Sequence, residues 1–240
     1  MESHPVLYSY RRCPYAMRAR MGIYLAGLQV EQREIVFWDK PDSMLEASPK
    51  ATVPVLILPN GQVVDESFDI MIWALKQAPL EQVGSETYSG LLPTDSTAYS
   101  KMMDWVDWND GEFKGWLDKY KYADRFPEYA QSVYRQKGEP FLQAIELALS
   151  KQIYLLGEQL TAADIAVFPF VRQFVNVDKA WFQQTGYPRL KAWLNGLLES
   201  PVFMEVMKNR PVWQRGHWPL WISEPDLKTR DQFSAKAFNV

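Results

Sequence analysis

Cys13 is the single thiol of the chain, and its neighbours give it a setting for chemistry. It follows the short apolar run Val6-Leu7-Tyr8 and directly precedes Pro14, whose fixed φ suits the first position of a helix. A sulfur at that place faces unpaired backbone N–H groups and the positive end of the helix dipole, and both favour the thiolate. A free thiol has a pKa of about 8.5 and is largely un-ionised at neutral pH, so such a placement bears on rate. Arg11, Arg12 and Arg18 bring cationic charge close in sequence. The competing reading of a lone cysteine is an inert, buried small hydrophobe.

Two further segments could serve a thiol reaction. Pro54 cannot donate to a sheet ladder, so it marks a turn or an edge at the start of a strand. A cis Val53–Pro54 bond would leave the Val53 backbone open to an extended ligand, whereas a trans bond would make Pro54 a plain edge proline. In Asp65-Glu66-Ser67, Ser67 has the character of a helix N-cap. The same residues could hold an amino acid, with its carboxylate at Ser67 and the helix N-terminus and its ammonium at Glu66.

The elements that must position these groups alternate through the first third. Val6 to Tyr8 predicts a strand, Pro14 to Ala26 a helix ended by Gly27, and Glu34 to Phe37 a second strand. Val53 to Leu58 and Gln62 to Val64 flank Asn60-Gly61, a strong hairpin signal, and Ser67 to Gln77 predicts a helix. The predicted organisation is an α/β domain over residues 1–78, a linker over 79–93 and an all-α domain over 94–240 with an irregular tail from Pro211. In the helical part, Gly138 and Pro140 predict an interruption or a kink between the helical stretches 128–137 and 141–149, and Pro188 opens a helix. Thr161-Ala162-Ala163-Asp164 fits a capping box, with Leu160 and Ile165 at the staple positions. This is a folding device rather than a catalytic one.

Composition narrows the functions. The 240 residues carry 26 Lys and Arg against 29 Asp and Glu, a net charge of −3 without a block of one sign, which argues against nucleic-acid binding. One cysteine excludes an intrachain disulfide, and with two histidines it leaves little for a zinc site, so no metal is expected. The N-terminus has no basic and apolar leader pattern, and Ile165 to Val171 is too short to span a bilayer, so the expected setting is cytoplasmic, without a membrane partner.

Taken in order, Cys13-Pro14-Tyr15-Ala16, Lys40-Pro41, Thr52-Val53-Pro54-Val55 and Glu66-Ser67 resemble the cytosolic glutathione transferase superfamily, especially its cysteine-type members, the omega class and the dehydroascorbate reductases. Thr161 to Phe170 and Tyr187 to Phe203 are similar to that family's helical-domain segments, so the resemblance covers about residues 5 to 210. It implies a thioredoxin-like domain followed by an all-helical one, with glutathione as co-substrate and a homodimeric assembly. Residue by residue it implies Cys13 as nucleophile, Tyr15 beside the glutathione thiol and Lys40 on the glycyl carboxylate. Val53, held by Pro54, would meet the cysteinyl part, and Glu66 and Ser67 the γ-glutamyl end. The second substrate would be a small thiol, disulfide or electrophile, and Trp105 and Trp108, with Trp116, are candidates to wall its pocket. An aromatic stripe at helical spacing is also what core packing produces.

Ala16 stands where a glutaredoxin-type motif has its second cysteine, so the implied route is monothiol: glutathione itself resolves a Cys13 mixed disulfide. Two rivals remain at this point. Tyr8, at the end of the first strand, could activate glutathione for conjugation to electrophiles, with Cys13 a bystander. A glutathione-binding protein without catalysis is the other.

Overall fold

The computed structural model describes residues 3–78 and 90–224. Two compact units are formed by Met1–Ser89 with Ser200–Val240, and by Gly90–Glu199. The first unit is built on a sheet of order β2-β1-β3-β4, with β1 at Val6–Ser9, β2 at Glu31–Glu34, β3 at Val55–Ile57 and β4 at Val63–Val64. β1 and β2 are parallel, so their connection must cross over, and α1 at Pro14–Leu25 makes that crossing. β3 runs antiparallel to β1 and β4 antiparallel to β3, closed by the Asn60-Gly61 turn, where Gly61 adopts a φ of +84°. α2 covers Asp42–Ala47 and α3 Ser67–Gln77. α1 and α3 approach so closely that a Cβ on Gly22 would lie 2.6 Å from Met71 Cγ.

β2 differs from expectation. The predicted strand was Glu34 to Phe37, yet the observed one is Glu-Gln-Arg-Glu at residues 31–34, every residue of it buried. These polar side chains tolerate burial because they pair: Arg33 Nε donates to Glu31 Oε1 at 2.7 Å and His4 Nε2 lies 2.9 Å from Glu31 Oε2. Apolar periodicity is blind to such a strand. Beyond Ile35 the chain turns, with Val36 and Asp39 bridged.

The stretch from Pro211, which the sequence places at the end of the helical domain, groups with the first unit. It lies along the outer edge of β2, where Gln32 N–H donates to Leu220 O at 2.7 Å, Ile222 N–H to Val30 O at 3.0 Å and Trp213 N–H to Glu34 O at 2.7 Å. An otherwise open edge is thereby paired. The short helix α10, Pro201–Val206, leads into it.

The second unit contains α4 (Ser96–Trp108), α5 (Lys114–Lys121), α6 (Gln131–Leu149), α7 (Ala162–Val175), α8 (Lys179–Gln184) and α9 (Pro188–Leu198). One π-helical turn, Asn109–Phe113, joins α4 to α5. α7 is its central helix, buried without interruption from Ala162 to Val171. The capping box forms, and Asp164 also accepts from Leu155 N–H and Trp193 Nε1–H, both at 2.9 Å. The predicted interruption near Gly138 is absent, and α6 runs through both Gly138 and Pro140. Gly138 serves packing instead, since a Cβ there would lie 2.5 Å from the Phe174 ring. Of the predicted linker, residues 79–89 lie outside the described residues. No helix among the described residues is long and apolar enough to cross a membrane.

Candidate functional site

Cys13 is the N-cap of α1, with extended backbone angles, and Pro14 opens the helix. Its N–H closes a turn onto Tyr10 O at 3.0 Å, and its carbonyl accepts the first helical bond from Met17 at 2.9 Å. The thiol is half-buried and lies 3.8 Å from the Val53 carbonyl oxygen, to which it can donate. The Val53–Pro54 peptide is cis, and β3 begins at the next residue. Two segments forty residues apart therefore meet at the sulfur: the start of α1 and the entry to β3.

α3 carries the second group. Glu66 is its N-cap and Ser67 its first residue, one position later than a Ser67 cap requires. The buried Ser67 hydroxyl accepts from Arg18 Nη1 at 3.3 Å, so a guanidinium from α1 stands at the N-terminus of α3. Outside it, Lys50 Nζ bridges Glu66 Oε1 at 2.6 Å and Asp65 Oδ1 at 3.3 Å. The hydrogen bonds that it donates to Glu66 and Asp65 hold the Lys50 ammonium above its ordinary pKa. The Ser48 hydroxyl, 2.8 Å away, followed by Lys50, holds the Asp65 carboxyl below its own. Apolar spacing identifies neither Arg18 nor Lys50 as a partner. The one signal for Arg18, shared with Arg20, is an arginine inside a helix of otherwise apolar, aromatic and small residues.

Tyr15 follows Pro14 in α1, with the Arg18 guanidinium 5.8 Å over its ring. Lys40 is half-buried on the loop between β2 and α2. Tyr8 is fully buried, and its hydroxyl accepts from Arg33 Nη1 at 3.0 Å and shares a 2.7 Å bond with Ser43 Oγ. Trp213 packs edge-on against the Tyr8 ring at 6.0 Å.

Within the helical unit, Trp105 and Trp108 stack at 6.3 Å and both pack edge-on against Phe141. With Leu147, Leu155 and Leu156 they line an apolar groove of about 410 Å³. Trp116 is not among its lining residues, and its indole N–H lies 3.4 Å from Glu112 Oε1. No cluster of His, Cys, Asp and Glu suited to a metal ion occurs among the described residues.

The family profile of the glutathione S-transferase N-terminal domain matches residues 7–82, and that of the C-terminal domain matches residues 113–196. The chain belongs to the glutathione S-transferase superfamily. The probable glutathione S-transferase parA of Nicotiana tabacum is 26% identical over 214 residues, 83% of this chain and 88% of that protein. The Escherichia coli disulfide-bond oxidoreductase YghU is 24% identical over 187 residues, 73% of this chain and 60% of its own length. A glutathione transferase family member from Pseudomonas fluorescens, solved with two glutathione molecules bound, superposes with a TM-score of 0.70 at 20% identity, over 85% of this chain and 92% of that one.

Membership fixes the fold of this glutathione S-transferase family member, a mixed four-stranded sheet with helices followed by a helical region.

Proposed function

We propose that this transferase is cysteine-type and exchanges thiols between glutathione and a small mixed disulfide through Cys13. The carrying observation is the contrast between two side chains. The Cys13 sulfur stands half-exposed at a helix N-terminus beside the Val53 carbonyl, while the Tyr8 hydroxyl is enclosed by Arg33 and Ser43. A hydroxyl already engaged by a buried guanidinium and a serine is poorly placed to activate a ligand thiol.

In this reading glutathione lies along the α1–β3–α3 side of the sheet. The Val53 backbone pairs with its cysteinyl part, the cis Pro54 following it, and Tyr15 lies near the sulfur. Lys40 takes the glycyl carboxylate. Ser67, Arg18 and the N-terminus of α3 favour the γ-glutamyl carboxylate, and Glu66 takes the ammonium group. Lys50 must then share Glu66 with the incoming ammonium.

The chemistry needs one sulfur. The Cys13 thiolate attacks the glutathionyl sulfur of a mixed disulfide, forming an enzyme–glutathione disulfide and expelling the substrate thiolate, which takes up a proton. A second glutathione, as thiolate, attacks the same glutathionyl sulfur, releasing glutathione disulfide and restoring the Cys13 thiolate. No electron is gained or lost overall beyond the exchange of one disulfide for another.

The test compares Cys13→Ser with Tyr8→Phe on a glutathionyl mixed disulfide and on an aryl halide. Loss of exchange in Cys13→Ser, with most of it kept in Tyr8→Phe, supports the proposal. Loss in Tyr8→Phe alone, with conjugation as the main parent activity, overturns it. Glutathione binding with turnover of neither substrate makes the protein a binding module.

A further inference from the structure

Arg20 lies seven residues after Cys13 in α1, two helical turns on, so both belong to one face. Helical side chains lean toward the N-terminus, which sends the Arg20 guanidinium back toward the turn that precedes Cys13. The side chain is wholly buried. Its Nη2 donates to Arg11 O at 2.8 Å, and its Nη1 to Tyr10 O at 3.3 Å and to Ser9 Oγ. Its Nε donates to Val206 O at 3.2 Å.

From the other side, the Glu34 carboxylate accepts the Arg11 backbone N–H through Oε1 and the Gln32 amide through Oε2, the latter at 3.0 Å. The peptide groups of Tyr10 and Arg11 are thus fixed by two buried, oppositely charged side chains, one from α1 and one from β2. Cys13 N–H closes the same turn onto the Tyr10 carbonyl.

Burial lowers the Arg20 pKa against the opposing pull of Glu34 and then of Cys13, while Arg11 acts with burial. Coulombic attraction is mutual, so the guanidinium that a Cys13 thiolate stabilises also stabilises the thiolate. The charged groups around this turn are Arg11 and Arg12 on the turn itself, Arg20 from α1, Glu34 from β2, and Glu205 and Arg210 from the segment around the end of α10. Buried charges often add little net stability, whereas the hydrogen bonds of Arg20 and of Glu34 converge on a single turn.

We propose that Arg20, with Glu34 bonded to the other side of the same turn, is a positioning residue for the Cys13 thiol, fixing the turn before it and so the place of the sulfur at the helix N-terminus. The proposal rests on the Cys13 reading given above. A lysine carries its three donors on one nitrogen and has no planar fork, so it cannot span the four acceptors that Arg20 meets. Glu34→Gln keeps an acceptor for Arg11 N–H, and a turned Gln32 amide, whose Oε1 has no hydrogen-bond partner among the described residues, can meet the new amide group.

The test follows alkylation of Cys13 by iodoacetamide against pH, which reports this one thiol with no second substrate, beside steady-state exchange kinetics. In Arg20→Lys the alkylation profile is expected to move to higher pH, kcat for exchange to fall by about tenfold or more, and KM for glutathione to change little. Arg20→Lys keeps a charge but withdraws it from the turn, whereas Glu34→Gln loosens the turn, removes a negative charge and leaves Arg20 in place, so its kcat falls without a displacement of the profile to higher pH. Should Arg20→Lys fail to fold, Glu34→Gln and Ser9→Ala, which removes one guanidinium acceptor, carry the comparison. Folded variants whose profiles and kcat superimpose on the parent overturn the proposal and leave the pair as packing. Full exchange activity in Cys13→Ala would instead defeat the Cys13 reading, an outcome visible separately from the alkylation profiles.

Discussion

The Trp213 N–H donates to the Glu34 carbonyl at 2.7 Å, which ties the C-terminal segment to the strand whose last side chain holds the turn before Cys13. On the same segment the Trp213 ring lies under the Arg33 guanidinium at 4.5 Å, and Arg33 in turn donates to the Tyr8 hydroxyl. Edge pairing and the buried charges of β2 are one construction.

Truncation after Arg210 removes that construction. Three backbone hydrogen bonds and the burial of Ile222 are lost, together about 5 kcal/mol at ordinary magnitudes. Thermal unfolding is expected to drop by on the order of 10 °C, and light scattering should show concentration-dependent association through the exposed β2 edge. An unchanged melting temperature would mean that the segment is merely laid against the sheet.

Glu34 gives stability a pH dependence of known sign. Burial raises its carboxyl above the ordinary carboxylate value, against the opposing effects of Arg20, the Arg11 N–H, Gln32 and Arg210. A carboxyl with a raised folded-state pKa binds its proton more tightly when folded. Its contribution is therefore full below the unfolded value and is lost as pH rises through the folded one. The difference in urea stability between parent and Glu34→Gln should accordingly shift in favour of the parent as pH falls from neutrality toward the carboxylate range. A difference independent of pH contradicts it.

Glu66→Ala tests the γ-glutamyl end. Loss of a charge-assisted hydrogen bond predicts a weakening of glutathione binding by about 1.5–3 kcal/mol, read by calorimetric titration. Folding should be barely affected, because Glu66 is exposed and caps α3 without a side-chain bond. Equal affinity in the folded variant removes Glu66 from the site.

Asp164→Ala is the opposite case. Four donors, the N–H and hydroxyl of Thr161, Leu155 N–H and Trp193 Nε1–H, converge on this fully buried carboxylate. Leu155 N–H and Trp193 Nε1–H are the two in buried bonds, and stranding them predicts a loss of about 2–6 kcal/mol in denaturant unfolding, at roughly 1–3 kcal/mol for each buried group left unpaired. Exchange kinetics of the fraction that remains folded should match the parent.

The local chemistry was legible in the sequence. Cys13-Pro14 is enough to start a helix on a thiol, since proline's fixed φ acts within one residue. Asn60-Gly61 is enough to turn a hairpin, and Thr161 to Asp164 enough to cap α7, because capping and turn bonds close over two to three residues. The ordered series from Cys13 to Ser67 also carried the family, which the profile matches over residues 7–82 bear out.

What tertiary structure alone decided is where charge could be buried. β2 escaped detection because Glu31, Gln32, Arg33 and Glu34 have no apolar period. Their burial depends on partners as distant as His4 and on Leu220 and Trp213, which come from the far end of the chain. Arg18 and Lys50 became partners of Ser67 and Glu66 for the same reason: α1 had to pack on α3 before Arg18 could meet Ser67, and the turn after α2 had to reach the start of α3 before Lys50 could meet Glu66. α6 continued through Gly138 because a missing Cβ was needed there against Phe174, a contact between residues far apart in sequence. A sequence shows the period of what water rejects; the pairing of what water would keep is fixed only when distant segments meet.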